Sequence, residues 1–262
     1  MGRLLDALAS SRVFDLEQLR YAGAPSHPAH QPGFNYFLHR QHARGGGEAR
    51  TGASGIVVMP EHSGTHIDGL SHQAENLILH GGVHVDSKVQ TSAGFRVLGI
   101  ETMRPLVARG VLLDVAGARR LPAEHAITAE ELQAAASRAG VEVGRGDVAL
   151  VRTGYGALWA EPAEYLRGPG VSAAGSRWLI EQKVAAVGAD NLAWDVMGPI
   201  DPELGVTLPG HILLLVRAGI PIIENLNLEE LAAAGVHEFL FVCLPLKMRG
   251  ATGSPVRPIA IA

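Results

Sequence analysis

Glu61-His62-Ser63-Gly64-Thr65-His66-Ile67-Asp68-Gly69-Leu70-Ser71-His72 places His62, His66, Asp68 and His72 within twelve residues. Imidazole and carboxylate are ligand types that suit zinc and manganese. The Ser, Gly and Thr between them are poor helix formers, so His62 and His66 do not read as neighbours on one helical face. A tight turn carrying His62, followed by an extended piece, fits better. In an extended piece His66 and Asp68 project to the same side, because side chains alternate. Gly64 and Gly69 let the backbone turn sharply and come close to an ion. The ordinary alternative is a set of surface or satisfied core histidines. Four ligand-type groups this close, in a chain only 18% charged, favour a metal.

Working outward, residues 54–59 read as a buried strand that delivers the motif at its C-terminal end. Residues 1–20 read as a short helix and then a strand at Val13-Phe14-Asp15-Leu16. Residues 21–47 are rich in Pro, Gly, His and aromatics and cannot form a regular helix. They fit either a substrate-facing lid or an arm on a neighbouring subunit. Residues 44–50, with consecutive glycines, read as a turn. His80 and His84 repeat the spacing of His62 and His66, but Gly81 and Gly82 rule out a stable helix, and they read as outer or surface histidines.

Further along, strands are expected at 111–115, 147–153, 184–189, 220–224, 238–246 and 257–262. Helices are expected at 128–138, 171–183 and 211–218, and after Asn227 as its cap. Thr128 and Glu131 form a capping box, and Gly140 stops that helix. Ser172 is the N-cap of the next. This alternation predicts an α/β fold, a mixed β-sheet flanked by helices, with antiparallel pairing in its early part. No repeat or linker splits the chain, so 1–262 is expected to be one domain.

A formal charge of −4 leaves no basic footprint for nucleic acid. No apolar run is long enough to span a membrane. The single cysteine, Cys243, excludes an intrachain disulfide and points to a reducing, cytoplasmic setting; in its apolar run it reads as a small buried hydrophobe. The N-terminus does not read as a signal peptide. Two residues outside the motif are further ligand candidates. His211 opens an apolar helix after Pro209-Gly210, and Glu224 closes a buried strand, where an acid is uncommon without a cation.

The run His62-Ser-Gly-Thr-His66-Ile-Asp68, with His72 four residues on, resembles the signature of the metal-dependent cyclase/hydrolase family, which includes bacterial kynurenine formamidases and isatin hydrolases. Leu70 stands where many members carry Pro. Pro209-Gly-His211 followed by Gly219-Ile-Pro-Ile-Ile-Glu224-Asn-Leu resembles the family's second ligand element, and stretches at 146–154, 187–191 and 244–257 match in kind. The resemblance implies a swivelling β/β/α-like cyclase fold and one or two divalent ions per chain, Zn2+ or Mn2+. It implies that Asp68 bridges, that His62 and His66 complete one site and His211 the other, and that Glu224 is shared. His72 is then the uncoordinated proton shuttle.

On that resemblance the expected activity is hydrolysis of a C–N bond in a small cyclic or N-acyl amide. A lactonase or a cyclase/dehydratase on the same centre is the alternative, and a non-catalytic metal-binding scaffold a third. No Trp precedes Trp159, whereas the formamidases carry one for aromatic stacking; Phe34, Tyr36 or Phe37 is expected either as an aromatic wall or in the core. A homo-oligomer, dimer or tetramer, is expected through the arm at residues 1–50.

Overall fold

A computed structural model describes residues 9–43 and 49–262. The helix expected ahead of Val13 and the turn expected over 44–50 fall mainly outside them. Nine strands form one mixed sheet: Val13–Asp15 (β1), His66–Asp68 (β2), Leu106–Asp114 (β3), Val148–Arg152 (β4), Ala186–Ala189 (β5), Ile222–Glu224 (β6), Glu238–Cys243 (β7), Gly253–Pro255 (β8) and Ile259–Ile261 (β9). Their order is β1-β9-β7-β3-β4-β5-β6-β2-β8. Strands β3 to β6 run parallel, and both wings are antiparallel. Among the described residues no helix is long and apolar enough to cross a membrane.

The parallel strands read as unbroken apolar runs because both faces are covered. Val111, Leu113, Ala149, Val151, Val187 and Ile222 face one core, while Leu112, Val148, Leu150, Ala186 and Ile223 face the other. The first core is roofed by the crossover helices Ala129–Ala139 (α1) and Ala173–Gln182 (α2) and by the segment after Pro209. The second is closed by Phe14, Leu16, Phe241 and the short helix Glu229–Ala233.

Local signals hold where they were strongest. Thr128 accepts from the Glu131 amide, the Glu131 side chain returns to the Thr128 amide, and Gly140 ends α1 at φ 68°. Ser172 caps α2. The expected helix at 211–218 begins as α-helix at Pro209–His211 and continues as a π-helix over Ile212–Ala218, a distortion often found at functional sites. Leu228 occupies the cap position of the helix expected after Asn227, and the Asn227 side chain accepts from the Glu229 amide at 3.4 Å.

One expectation fails. The strand at 54–59 is not buried. Ser54–Val58 pairs antiparallel with Asn35–Arg40 in a ribbon separate from the main sheet, with its apolar side chains exposed. Composition alone cannot distinguish a core strand from an apolar strand awaiting a partner, which is why the sequence misleads here. Tyr36 and Phe37 belong to this ribbon and form neither a core nor a pocket wall, and Phe34, just ahead of it, lies outside the pocket lining as well.

Candidate metal centre

The motif folds as its residue types suggest. Residues 61–65 form turns and bends, and His66–Asp68 is strand β2, buried between β6 and β8. Gly64 sits at φ 65°, a conformation that favours glycine. Arg20 clamps the turn by donating to the carbonyls of Ser63 and Thr65. The Thr65 hydroxyl donates to the Asn225 carbonyl at 2.6 Å and accepts from the Gln18 amide at 2.8 Å. A side chain at Gly253 would meet the His62 ring at 2.5 Å, so only glycine lets β8 lie against it.

Strand register then brings in the distant ligands. Glu224 pairs with His66, and Ile222 with Asp68, across the antiparallel β6–β2 contact. His66 Nε2 lies 3.3 Å from Glu224 Oε2 and 3.4 Å from Asp68 Oδ1. His211 Nε2, delivered by the turn into the π-helix, lies 3.2 Å from Glu224 Oε1 and 3.6 Å from Asp68 Oδ2. His62 Nδ1 lies 2.7 Å from Asp68 Oδ1, and the His62 and His72 rings are 3.9 Å apart. The other five expected site residues therefore gather around Asp68. Two sets have ligand atoms within 4.8 Å of one another: His66 with Asp68 and Glu224, which belong together in the expected arrangement, and His62 with Asp68 and His72, which puts the expected proton shuttle within ligand reach as well. Cross-strand pairing of His66 with Glu224 builds the first set.

Outer partners hold these rings by their other nitrogens. The His66 Nδ1–H donates to the Gly64 carbonyl at 2.8 Å, which leaves Nε2 facing the carboxylates. Asp195 holds His211 Nδ1 at 2.7 Å and also accepts from the amides of Gly210 and His211. The hydroxyl of Thr252, itself tied to Glu61, lies 2.8 Å from His62 Nε2. Such partners fix ring orientation and raise ligand basicity. Sequence reasoning missed Asp195, Glu61 and Thr252. Asp195 carried a weak signal, a lone acid closing the apolar Leu192-Ala193-Trp194 run.

The electrostatics ask for a cation. Asp68 and Glu224 are buried carboxylates side by side, a costly arrangement without one. Asp68 Oδ2 is buried with no hydrogen-bond partner, whereas Glu224 Oε1 accepts from the Trp194 amide at 2.7 Å. Burial opposes charge throughout, yet Asp68 and Glu224 override it at His66 and hold that ring up at about 10. Asp195 and Glu224 hold His211 well above its ordinary range against burial. Burial pushes His72 down to about 3 against the pull of Asp68. The donor set and the orphaned oxygen both fit a divalent ion with N/O ligands.

A cavity of about 150 Å³ opens over this cluster. His62, His66, His72, His211 and Glu224 line its floor and sides. Leu192, Ala193 and Leu208 form an apolar wall. Its roof is the turn Pro28–His30 with His27, and His30 stacks on His62 at 4.9 Å between ring centres. Part of the 21–47 segment is thus pocket roof and part is ribbon. Neither His80 nor His84 reaches the cavity: His80 bonds the Val216 carbonyl at 2.9 Å, and His84 is exposed. Cys243 is buried, and its thiol is pushed up to about 12.

The chain is 28% identical over 206 residues to cyclase-like protein 3 of Oryza sativa subsp. japonica, covering 78% of this chain but only 63% of that protein. It is 25% identical over 214 residues to an isatin hydrolase of Roseibium aggregatum, covering 78% of this chain and 73% of that one. A crystal structure of a novel cyclase superposes with a TM-score of 0.87 at 28% identity, over 100% of this chain and 90% of the other. The family model for Cyclase matches residues 15–196, from β1 to just beyond the Asp195 anchor, and with the β2 motif inside that span the chain belongs to the Cyclase family.

Proposed function

We propose that this chain is a metal-dependent hydrolase that cleaves a C–N bond in a small cyclic or N-acyl amide. The observation carrying the reading is the buried, partnerless Asp68 Oδ2 beside Glu224, under a cavity ringed by the motif histidines. His62, His66, Asp68, His211 and Glu224 are the residues that would hold zinc or manganese. When bound, such an ion lowers the pKa of water towards neutrality and polarises a carbonyl oxygen.

The chain's own contribution is positional and acid–base. Asp195 and the Gly64 carbonyl lock the His211 and His66 rings, so both Nε2 atoms stay aimed at the carboxylates. His72 lines the cavity beside His62 and is the group assigned here to carry the proton to the leaving nitrogen. A volume near 150 Å³ takes about one six-membered ring, which favours a small ring or short acyl chain. The relationship to an isatin hydrolase supports a cyclic amide as substrate.

Elemental analysis of the purified protein, followed by an amide, imide and lactone panel with the loaded enzyme, tests this. Zinc or manganese in the protein and turnover of an amide or imide support the reading. Turnover of lactones alone moves the assignment to the ester-cleaving alternative. No metal after reconstitution with either ion overturns it.

A further inference from the structure

The roof of the cavity is polar where its wall is apolar. His27 and His30 close a space whose sides are Leu192, Ala193 and Leu208. The turn that carries them is tightly held. The His30 amide donates to the His27 carbonyl at 2.8 Å. The His30 carbonyl accepts from the Ser26 hydroxyl at 3.1 Å and from the Gly33 amide at 3.2 Å. Pro28 opens the turn, so its φ is fixed by the ring.

His27 has a defined tautomer. Its Nδ1 caps the turn by accepting from the Ala29 amide at 3.1 Å. A ring nitrogen that accepts carries no proton, so the proton of the neutral imidazole is on Nε2. Among the described residues no group accepts from that Nε2–H. The ring is half-buried, and the charges of Glu224, His211 and His66 all act on it, so it lies close to the centre. His30 is engaged differently, stacked on His62 at 4.9 Å between ring centres. His27 therefore offers one placed N–H donor to whatever occupies the cavity. A few such groups in an otherwise apolar pocket set the orientation of a ligand.

We propose that His27 Nε2–H donates to a second carbonyl of the substrate, the one that is not attacked. His27 then selects imides, and ring amides with a further carbonyl, over plain lactams. The inference rests on the hydrolase reading above and narrows its substrate class. The attacked carbonyl belongs at the floor, beside His66, His211 and Glu224. The ring carbons lie along Leu192, Ala193 and Leu208. A second carbonyl oxygen is the group left to meet the roof. A lactam without one leaves the His27 donor unpaired, and a site built to hydrogen-bond a ligand discriminates strongly against an analogue lacking the partner.

Glutarimide and 2-piperidone share a six-membered ring and differ by one carbonyl. Saturation-transfer NMR of the zinc-loaded protein with each gives two dissociation constants and requires no turnover. The wild type should bind glutarimide about ten- to a hundredfold more tightly. Two variants separate the donor from the cap: His27→Ala removes both, whereas His27→Ser keeps a cap acceptor but is too short to reach the ligand. Both should keep their zinc and their circular dichroism, and both should bring the two constants to within about twofold of each other. A wild-type preference that survives in His27→Ala overturns the proposal. Recovery of that preference in His27→Ser makes the ring a cap alone and also overturns it. A zinc-loaded wild type that binds neither ring, or both equally, overturns this inference and leaves the hydrolase reading standing. A protein that takes up no metal overturns both.

Discussion

The centre around Asp68 and the ribbon at 35–58 invert the usual rule in opposite ways. At the centre, carboxylates and imidazoles are buried. On the ribbon, aromatic and β-branched residues are exposed. Each arrangement is costly for the chain alone, the first because buried charge has left water and the second because apolar surface faces it. They differ in how firmly they are held. The His62, His66 and His211 rings each have an outer hydrogen-bond partner, whereas the ribbon rests on one pair of short strands. A buried polar site is built by its whole surroundings; an apolar arm needs only to project.

The largest effect should come from Asp68→Ala. It removes the group on which both ligand sets converge, so metal content should fall to background and turnover by roughly a thousandfold or more. Full metal retention in that variant would dissolve the contrast between the two regions. His72→Ala comes next. With His72 as proton carrier, turnover should fall by about a hundred- to ten-thousandfold while elemental analysis finds the metal in place. Loss of metal would make His72 a ligand, as its distance to His62 and Asp68 permits.

Asp195→Asn should be milder. It keeps the shape but weakens the hold on His211, so metal affinity in a chelator competition should drop by about ten- to a hundredfold. An unchanged affinity would show that the turn at Pro209–His211 positions the ring unaided.

The smallest effect is a slope. In metal-free protein His66 sits at about 10, above its ordinary 6.5, and Glu224 at about 2, below its ordinary 4.5. The His66 contribution is complete below pH 6.5 and is lost as pH rises towards 10; the Glu224 contribution is complete above pH 4.5 and is lost as pH falls towards 2. Metal-free Tm should therefore decline between about pH 7 and 10. Loaded protein, with its ligand imidazoles already neutral, should lack that decline, and metal uptake should release protons. Parallel slopes with and without metal would break the link between burial and the ion.

Much of the centre was legible in the chain itself. Poor helix formers between His62 and Asp68 dictated a turn and a strand, and the short spacing placed three imidazoles near one carboxylate. Thr128, Gly140 and Ser172 marked helix ends because capping is a local matter of backbone donors and acceptors. Unbroken apolar runs marked the parallel strands. Tertiary structure alone decided the rest. It paired Glu224 with His66, because strand register is set by the whole sheet. It chose Asp195 as the anchor of His211, since a hydrogen bond across sixteen residues leaves no periodic trace. It also turned residues 54–58 outward: the sequence encodes apolarity, but which apolar strand enters the core depends on which surfaces the rest of the chain has left to cover.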